Sequence, residues 1–143
     1  MLNCFRVQLQ LAPLSLGVFL LLGCGGGPSG PALAPVQGTV TLDGQPVAKA
    51  RVEFIPSEGR PSTAITGTDG TYNLAYSPTE NGAIIGATYR VTIQTARDAV
   101  ESEGQIIEPK VTETIPERYH KNTELTAVIE SGTNTINFEL KSK

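Results

Sequence analysis

Val36-Gln37-Gly38-Thr39-Val40-Thr41-Leu42-Asp43-Gly44-Gln45-Pro46-Val47 is the stretch on which the fold depends. Val36, Gly38, Val40 and Leu42 alternate with Gln37, Thr39 and Thr41. Successive side chains of a strand point to opposite faces, so a period of two predicts a strand with one buried and one wet face. Asp43-Gly44 then supplies residues that tolerate positive φ, as a tight hairpin turn demands.

The same grammar continues downstream. Ala50, Val52 and Phe54 alternate with Lys49, Arg51 and Glu53 in a strand that stops at Pro56. Thr63–Thr68 reads as a weaker strand, with Ala64 and Thr66 on one side and Ile65 on the other. Asp69-Gly70 is a second turn signal, and Tyr72 and Leu74 alternate after it. Tyr89, Val91 and Ile93 form a fifth strand, and Leu125, Ala127 and Ile129 a sixth. After Ser131-Gly132-Thr133-Asn134, Ile136, Phe138 and Leu140 form a seventh, which leaves Asn137 facing solvent. Seven strands, frequent turns and no helical periodicity predict an all-β, seven-stranded antiparallel β-sandwich over residues 36–143. Tyr72 and Tyr89 share the phase of the core, so burial is expected of both.

One segment does not fit a simple connection. Ala96–Thr123 puts 28 residues between the fifth and sixth strands, more than a link within a sandwich needs. It contains a possible short strand at Gln105-Ile106-Ile107 and ends in Ile115-Pro116-Glu117-Arg118-Tyr119. Binding residues concentrate on loops carried by a rigid scaffold. Glu101, Glu103, Glu108, Arg118 and Tyr119 are therefore the candidate partner-contacting residues. The local acidic excess favours a basic or cation-bearing partner.

The opening strand–turn–strand is similar to the start of carboxypeptidase regulatory-like domains, which are transthyretin-like (prealbumin-like) seven-stranded sandwiches. Thr68-Asp69-Gly70-Thr71-Tyr72-Asn73-Leu74, Gly86-Ala87-Thr88-Tyr89-Arg90-Val91-Thr92-Ile93 and the Leu125–Leu140 region match the same pattern in order and spacing. The Ile115–Tyr119 run resembles one in small bacterial lipoproteins that carry this domain. The resemblance implies a non-catalytic accessory or binding fold.

Two chemistries associated with related sandwiches lack their residues. A transthyretin-like hydrolase acting on 5-hydroxyisourate needs several histidines and a terminal Tyr-Arg-Gly-Ser, whereas this chain has His120 alone and ends Leu140-Lys141-Ser142-Lys143. An internal Lys–Asn isopeptide needs a lysine on the first strand, and Val36–Leu42 has none. Asp43, Asp69 and Asn134 sit at turns, where their side chains bond the local backbone. Calcium takes six to eight oxygen ligands, usually with several carboxylates close together, and no Asp-x-Asp-x-Asp run occurs. No phosphate loop or nucleophile elbow is present. No catalytic residue, metal site or cofactor is expected, and the protein is not expected to be an enzyme.

Upstream, Leu11–Leu22 is a 12-residue, largely apolar run. A membrane-spanning helix needs about 20 apolar residues, so a signal segment is the better reading. Leu21-Leu22-Gly23-Cys24 resembles the lipobox of bacterial lipoproteins. That resemblance implies cleavage between Gly23 and Cys24, removal of a signal peptide at residues 1–23, and lipidation of Cys24. The protein would then sit in the cell membrane or outer membrane, facing the periplasm or the exterior. Residues 24–35, rich in Gly and Pro, are expected to be a flexible tether with nothing that can build a core. Loss of Cys4 with the signal and modification of Cys24 would leave no disulfide.

The whole sequence carries 11 Lys+Arg against 14 Asp+Glu, a net charge of −3, with no basic stripe. Nucleic-acid binding therefore has no electrostatic footprint. The function expected is that of a lipid-anchored, non-enzymatic cell-envelope protein with a binding or structural role and an unidentified protein or glycan partner. The alternative is a carbohydrate- or peptide-binding accessory module of an envelope enzyme complex.

Overall fold

The computed structural model describes residues 30–143. The expected signal peptide, Gly23, Cys24 and the first part of the expected tether lie outside the described residues. The body is all-β and sandwich-type, with two main sheets enclosing one core.

The larger sheet has six strands, each antiparallel to its neighbours. Their order is Thr126–Val128, Thr88–Gln94, Arg51–Pro56, Ser62–Ile65, Ala75–Ser77, Glu80–Asn81. The smaller sheet is built on Val36–Leu42. That strand is antiparallel to Thr71–Asn73 and Gln45–Pro46, and parallel to Asn134–Thr135 and Phe138–Leu140.

The expected alternation accounts for most of the core. Val36 and Val40 from the small sheet meet Val52, Phe54, Tyr89 and Val91 from the large one, all essentially buried. The Phe54 ring lies 5.8 Å from Tyr89, 6.1 Å from Phe138 and 6.4 Å from Tyr72, so four aromatic rings knit the sheets together. Burying each such ring removes 150–250 Å² from water, which makes this cluster the centre of the fold's stability. Both buried phenols keep partners: Tyr72 donates to the Ile136 carbonyl at 2.7 Å, and the Tyr89 hydroxyl accepts from Ile84 N–H at 2.7 Å. Burial pushes the Tyr72 phenol above the ordinary tyrosine range.

The turn residues behave as their chemistry dictates. Asp43 and Gly44 take φ values of 50° and 82°, the double positive φ of a tight hairpin turn. Asp69 accepts from the Thr71 N–H and hydroxyl, a local side-chain-to-backbone turn. Asn134 bonds back to Glu130 in both directions and so closes the last turn.

Three expectations are corrected or extended. The first is the wholly antiparallel, seven-stranded sandwich. The described residues form fifteen strands, several of only two or three residues, because bulges and breaks divide the longer runs. The chain's last stretch also runs parallel to Val36–Leu42, because it arrives from the other sheet instead of folding back in a hairpin.

The second concerns Asn137. Its side chain is exposed, as its phase predicts, but it has a structural task. The Ile136 carbonyl is taken by Tyr72, which breaks the parallel ladder, and Asn137 Oδ1 accepts from Thr39 N–H at 3.0 Å in its place. Gly38 lies at the same spot: a Cβ there would stand 1.8 Å from the Ile136 carbonyl oxygen.

The third concerns the tether. Leu33–Ala34 pairs with Ala83–Ile84, Ala32 accepts from Ile85 N–H, and Ala34 is buried. The folded body thus begins before Val36. A small alanine fills a core position that a larger side chain would overfill, and its surroundings of Gly and Pro hide that role.

Candidate functional site

The long segment after the Thr88–Gln94 strand leaves the sandwich through a narrow neck, and Glu113 forms that neck. Its Oε1 accepts from Thr95 Oγ1 at 2.7 Å, Ile115 N–H at 2.8 Å, Thr114 N–H at 2.9 Å and Thr95 N–H at 3.0 Å. Its Oε2 accepts from Ala96 N–H at 3.2 Å. One carboxylate therefore binds the outgoing and returning chains together. Partial burial alone would raise its pKa. The Thr95 and Ile115 amides, the Thr95 hydroxyl and the Ala96 amide outweigh that and hold it at about 2, against an ordinary 4.5. Beyond the neck, Arg97 and Val111 exchange both backbone hydrogen bonds, and Lys110 stands 3.8 Å from Asp98.

Past that bridge the chain forms an isolated hairpin, Val100–Ser102 with Gln105–Glu108. Its two strands pair with each other and with no other strand among the described residues. Glu103 and Gly104 make the turn, with φ of 52° and 78°. The possible strand at Gln105-Ile106-Ile107 is therefore present. Every residue of the hairpin is exposed, Ile106 at 64% and Ile107 at 63%. Glu101 lies directly across from Ile106, so these two share a face; a bulge follows, and Glu108 pairs with Val100 beyond it.

Glu101, Glu103 and Glu108 thus lie together on one exposed feature, and none forms an ion pair among the described residues. Arg118 and Tyr119 do not belong to it. They lie on the 3₁₀ turn Glu117–Tyr119, where Arg118 donates to the Lys141 carbonyl at 2.6 Å and the Tyr119 hydroxyl accepts from Lys141 N–H at 3.1 Å. Asp43 completes this clamp on the chain end by accepting from Ser142 N–H at 3.1 Å. Arg118 and Tyr119 are thus set apart from the hairpin glutamates and engaged in holding the last strand. Ile115 is buried, and His120 Nε2 donates to the Ile115 carbonyl at 2.9 Å, so the histidine is a loop fastener. Glu117 pairs with Lys121 at 2.7 Å.

Beside the neck is a groove of about 370 Å³, bordered by Lys49, Arg51, Ile65, Gln94, Arg97 and Asp98. Arg51 pairs in register with Ile65 on one side and Gln94 on the other, which puts all three on the outer face of the large sheet. Arg97 is fixed by donating to the Lys49 carbonyl at 3.0 Å. Lys49 has φ of 54° in a loop pinned by Thr66, whose hydroxyl donates to the Val47 carbonyl and accepts from Ala50 N–H. This basic, partly apolar groove has no signature in the sequence because its residues come from three separate strands and loops. A second, shallower hollow of about 690 Å³ lies against Arg60, Pro61, Tyr76 and Pro78, with the Arg60 guanidinium 5.4 Å from the Tyr76 ring centre.

Among the described residues no group of three His, Cys, Asp or Glu is arranged to hold a metal ion. No helix among them is long and apolar enough to cross a membrane. No protein-family model matches the chain, and no curated protein matches it by sequence. Among solved structures, a 9R-lipoxygenase from Cyanothece PCC8801 is similar over 73% of this chain at 13% identity, with a TM-score of 0.36. The chain spans only 16% of that enzyme's length.

Proposed function

We propose that the protein is a lipid-anchored, non-enzymatic envelope protein of the carboxypeptidase regulatory-like, transthyretin-like type, whose sandwich presents the Val100–Glu108 hairpin to a protein partner. The observation that carries this reading is the hairpin itself: an exposed two-stranded element bearing Ile106, Ile107 and three unpaired glutamates. Isolated hairpins are marginal in water, and an exposed edge with large apolar side chains invites pairing with another chain. The acidic rim selects a partner that is basic around an apolar centre. Cys24 supplies the anchor and the following Gly/Pro segment the reach.

The test replaces residues 98–110 with a short Gly/Ser linker in the full-length, membrane-associated protein. Cross-linked partner should be lost while cooperative melting is retained. Full partner recovery by the linker variant refutes the hairpin as the contact surface. The anchor is tested separately by Cys24→Ala, which should block lipid labelling and leave the precursor unprocessed.

A second reading rests on the Arg60–Tyr76 hollow. An aromatic ring, two prolines and a cation on one open shelf suit an extended peptide or a sugar, as an accessory module of an envelope enzyme would need. Loss of glycan or peptide capture by Tyr76→Ala, with the hairpin intact, would favour it over the first.

A further inference from the structure

We propose that the hairpin docks into the basic groove of a second copy of this chain, forming a reciprocal two-fold pair. This deepens the reading of the hairpin as a contact surface and rests on it. The two surfaces match in pattern. On the hairpin, Ile106 sits across from Glu101, and Glu108 follows past a bulge, across from Val100. On the groove, Ile65 sits across from Arg51, with Lys49 and Arg97 beside it. Each is an exposed isoleucine next to unit charges, and the signs are opposite. Ile65 is 60% exposed and Ile106 is 64% exposed, so neither is satisfied within its own copy. Lys49 makes no ion pair among the described residues; Arg51 has only a long one, 3.8 Å, to Glu53.

The placement of the groove favours a closed pair. Arg97 and Asp98 belong to both the hairpin's neck and the groove, so tip and groove lie at opposite ends of one feature. Two hairpins set side by side and antiparallel across a two-fold axis put each tip over the other's neck. Such a contact is isologous: the same patch serves both copies, and the assembly closes at two. It also covers the free hairpin edges, which otherwise expose unpaired backbone groups. A contact made by two-stranded hairpins is small, of the class below about 1,200 Å². Confinement of both copies to one membrane raises their effective concentration and compensates for modest affinity.

The experiment uses two differently tagged full-length copies in the same membranes, one carrying Ile65→Cys and the other Ile106→Cys, treated with a short bismaleimide. The expected result is a cross-linked species bearing both tags. Adding Lys49→Glu and Arg51→Glu to the first copy should cut its yield at least tenfold. Adding Glu101→Lys and Glu108→Lys to the second should then restore it. No doubly tagged species, or a yield indifferent to the charge reversals, overturns the proposal. That outcome leaves a separate record for the hairpin as a contact surface, because loss of a foreign partner on replacing residues 98–110 is read in a different assay. An unstable Lys49→Glu/Arg51→Glu variant is recognised by its melt. The reversal on the exposed hairpin alone then decides, since it should abolish the product with the native groove.

Discussion

Replacing Glu113 with glutamine should loosen the neck of the long segment in a way that depends on pH. The carboxylate accepts from four backbone N–H groups and one hydroxyl. Glutamine keeps one acceptor at the Oε1 position. It places an NH₂ at the Oε2 position, where it confronts the Ala96 N–H. A carboxylate held at about 2 against 4.5 corresponds, at 1.36 kcal/mol per pH unit, to a ceiling of about 3 kcal/mol. Glu113 is only partly buried, and solvent screening brings this to about 1–2 kcal/mol. The folded-state value lies below the unfolded one, so this stabilisation is complete above about pH 4.5. It fades as pH falls and is gone below about pH 2. Urea unfolding of wild type and Glu113→Gln should therefore differ by about 1–2 kcal/mol at pH 7 and converge towards pH 2–3. Amide exchange at Ala96 and Ile115 should speed up in the variant at neutral pH. Equal stability at pH 7, or a gap that persists unchanged at pH 3, would refute the assignment of Glu113 as the latch.

Phe138 packs against Phe54 and Tyr72, so Phe138→Ala should cost about 3–5 kcal/mol, while Asn137→Ala, which removes the exposed-side acceptor of the Thr39 N–H and hydroxyl, should cost about 1 kcal/mol by the same chemical unfolding. Gly38→Ala should cost about 3 kcal/mol or more, because the added carbon meets a backbone carbonyl that cannot retreat without breaking the Tyr72 bond; a melt within 2 °C of wild type would count against the close approach. Tyr119→Phe removes the acceptor for Lys141 N–H and should fray the last strand, seen as faster exchange at Leu140 and Lys141 with partner recovery unchanged.

What the sequence made legible was local. Period-two alternation placed Val40, Phe54, Tyr72, Tyr89 and Phe138 in the core, and the Asp-Gly pairs marked their turns, because strand phase and φ preference act over a few residues. What it hid was long-range. Nothing near Phe138 says that its strand runs parallel to Val36–Leu42, since both orientations bury the same face. Ala34 reads as tether because its core role depends on Ala83, far along the chain. Glu113 is indistinguishable from the solvated glutamates around it until Thr95 and Ala96 are brought beside it. Tyr119 offered one usable signal. A phenol in a connection that also contributes a buried isoleucine, Ile115, is better read as anchoring than as display.

The division of labour within residues 96–123 explains how a strongly exposed apolar hairpin coexists with a stable body. The ends of the segment are bound into the sandwich: Glu113 joins them, Ile115 enters the core, and Arg118 and Tyr119 grip the final strand. The middle makes no strand pairing with the body among the described residues. Loop-closure cost rises only slowly with length, so once the neck is fixed the hairpin can be long without weakening the fold. Its sequence is then free of packing demands. Val100, Ile106 and Ile107 are exposed at 50–64%, in positions where polar residues would improve solubility without disturbing any core contact. Large apolar side chains held there beside glutamates without ion pairs among the described residues are what the proposed contact surface requires. Stability measurements should show the separation directly. Ile106→Ser should leave the unfolding free energy within about 0.5 kcal/mol of wild type, as for a surface site, while Ile115→Ser, at the neck, should cost several-fold more. Comparable losses at the two positions would mean that the hairpin is part of the core after all.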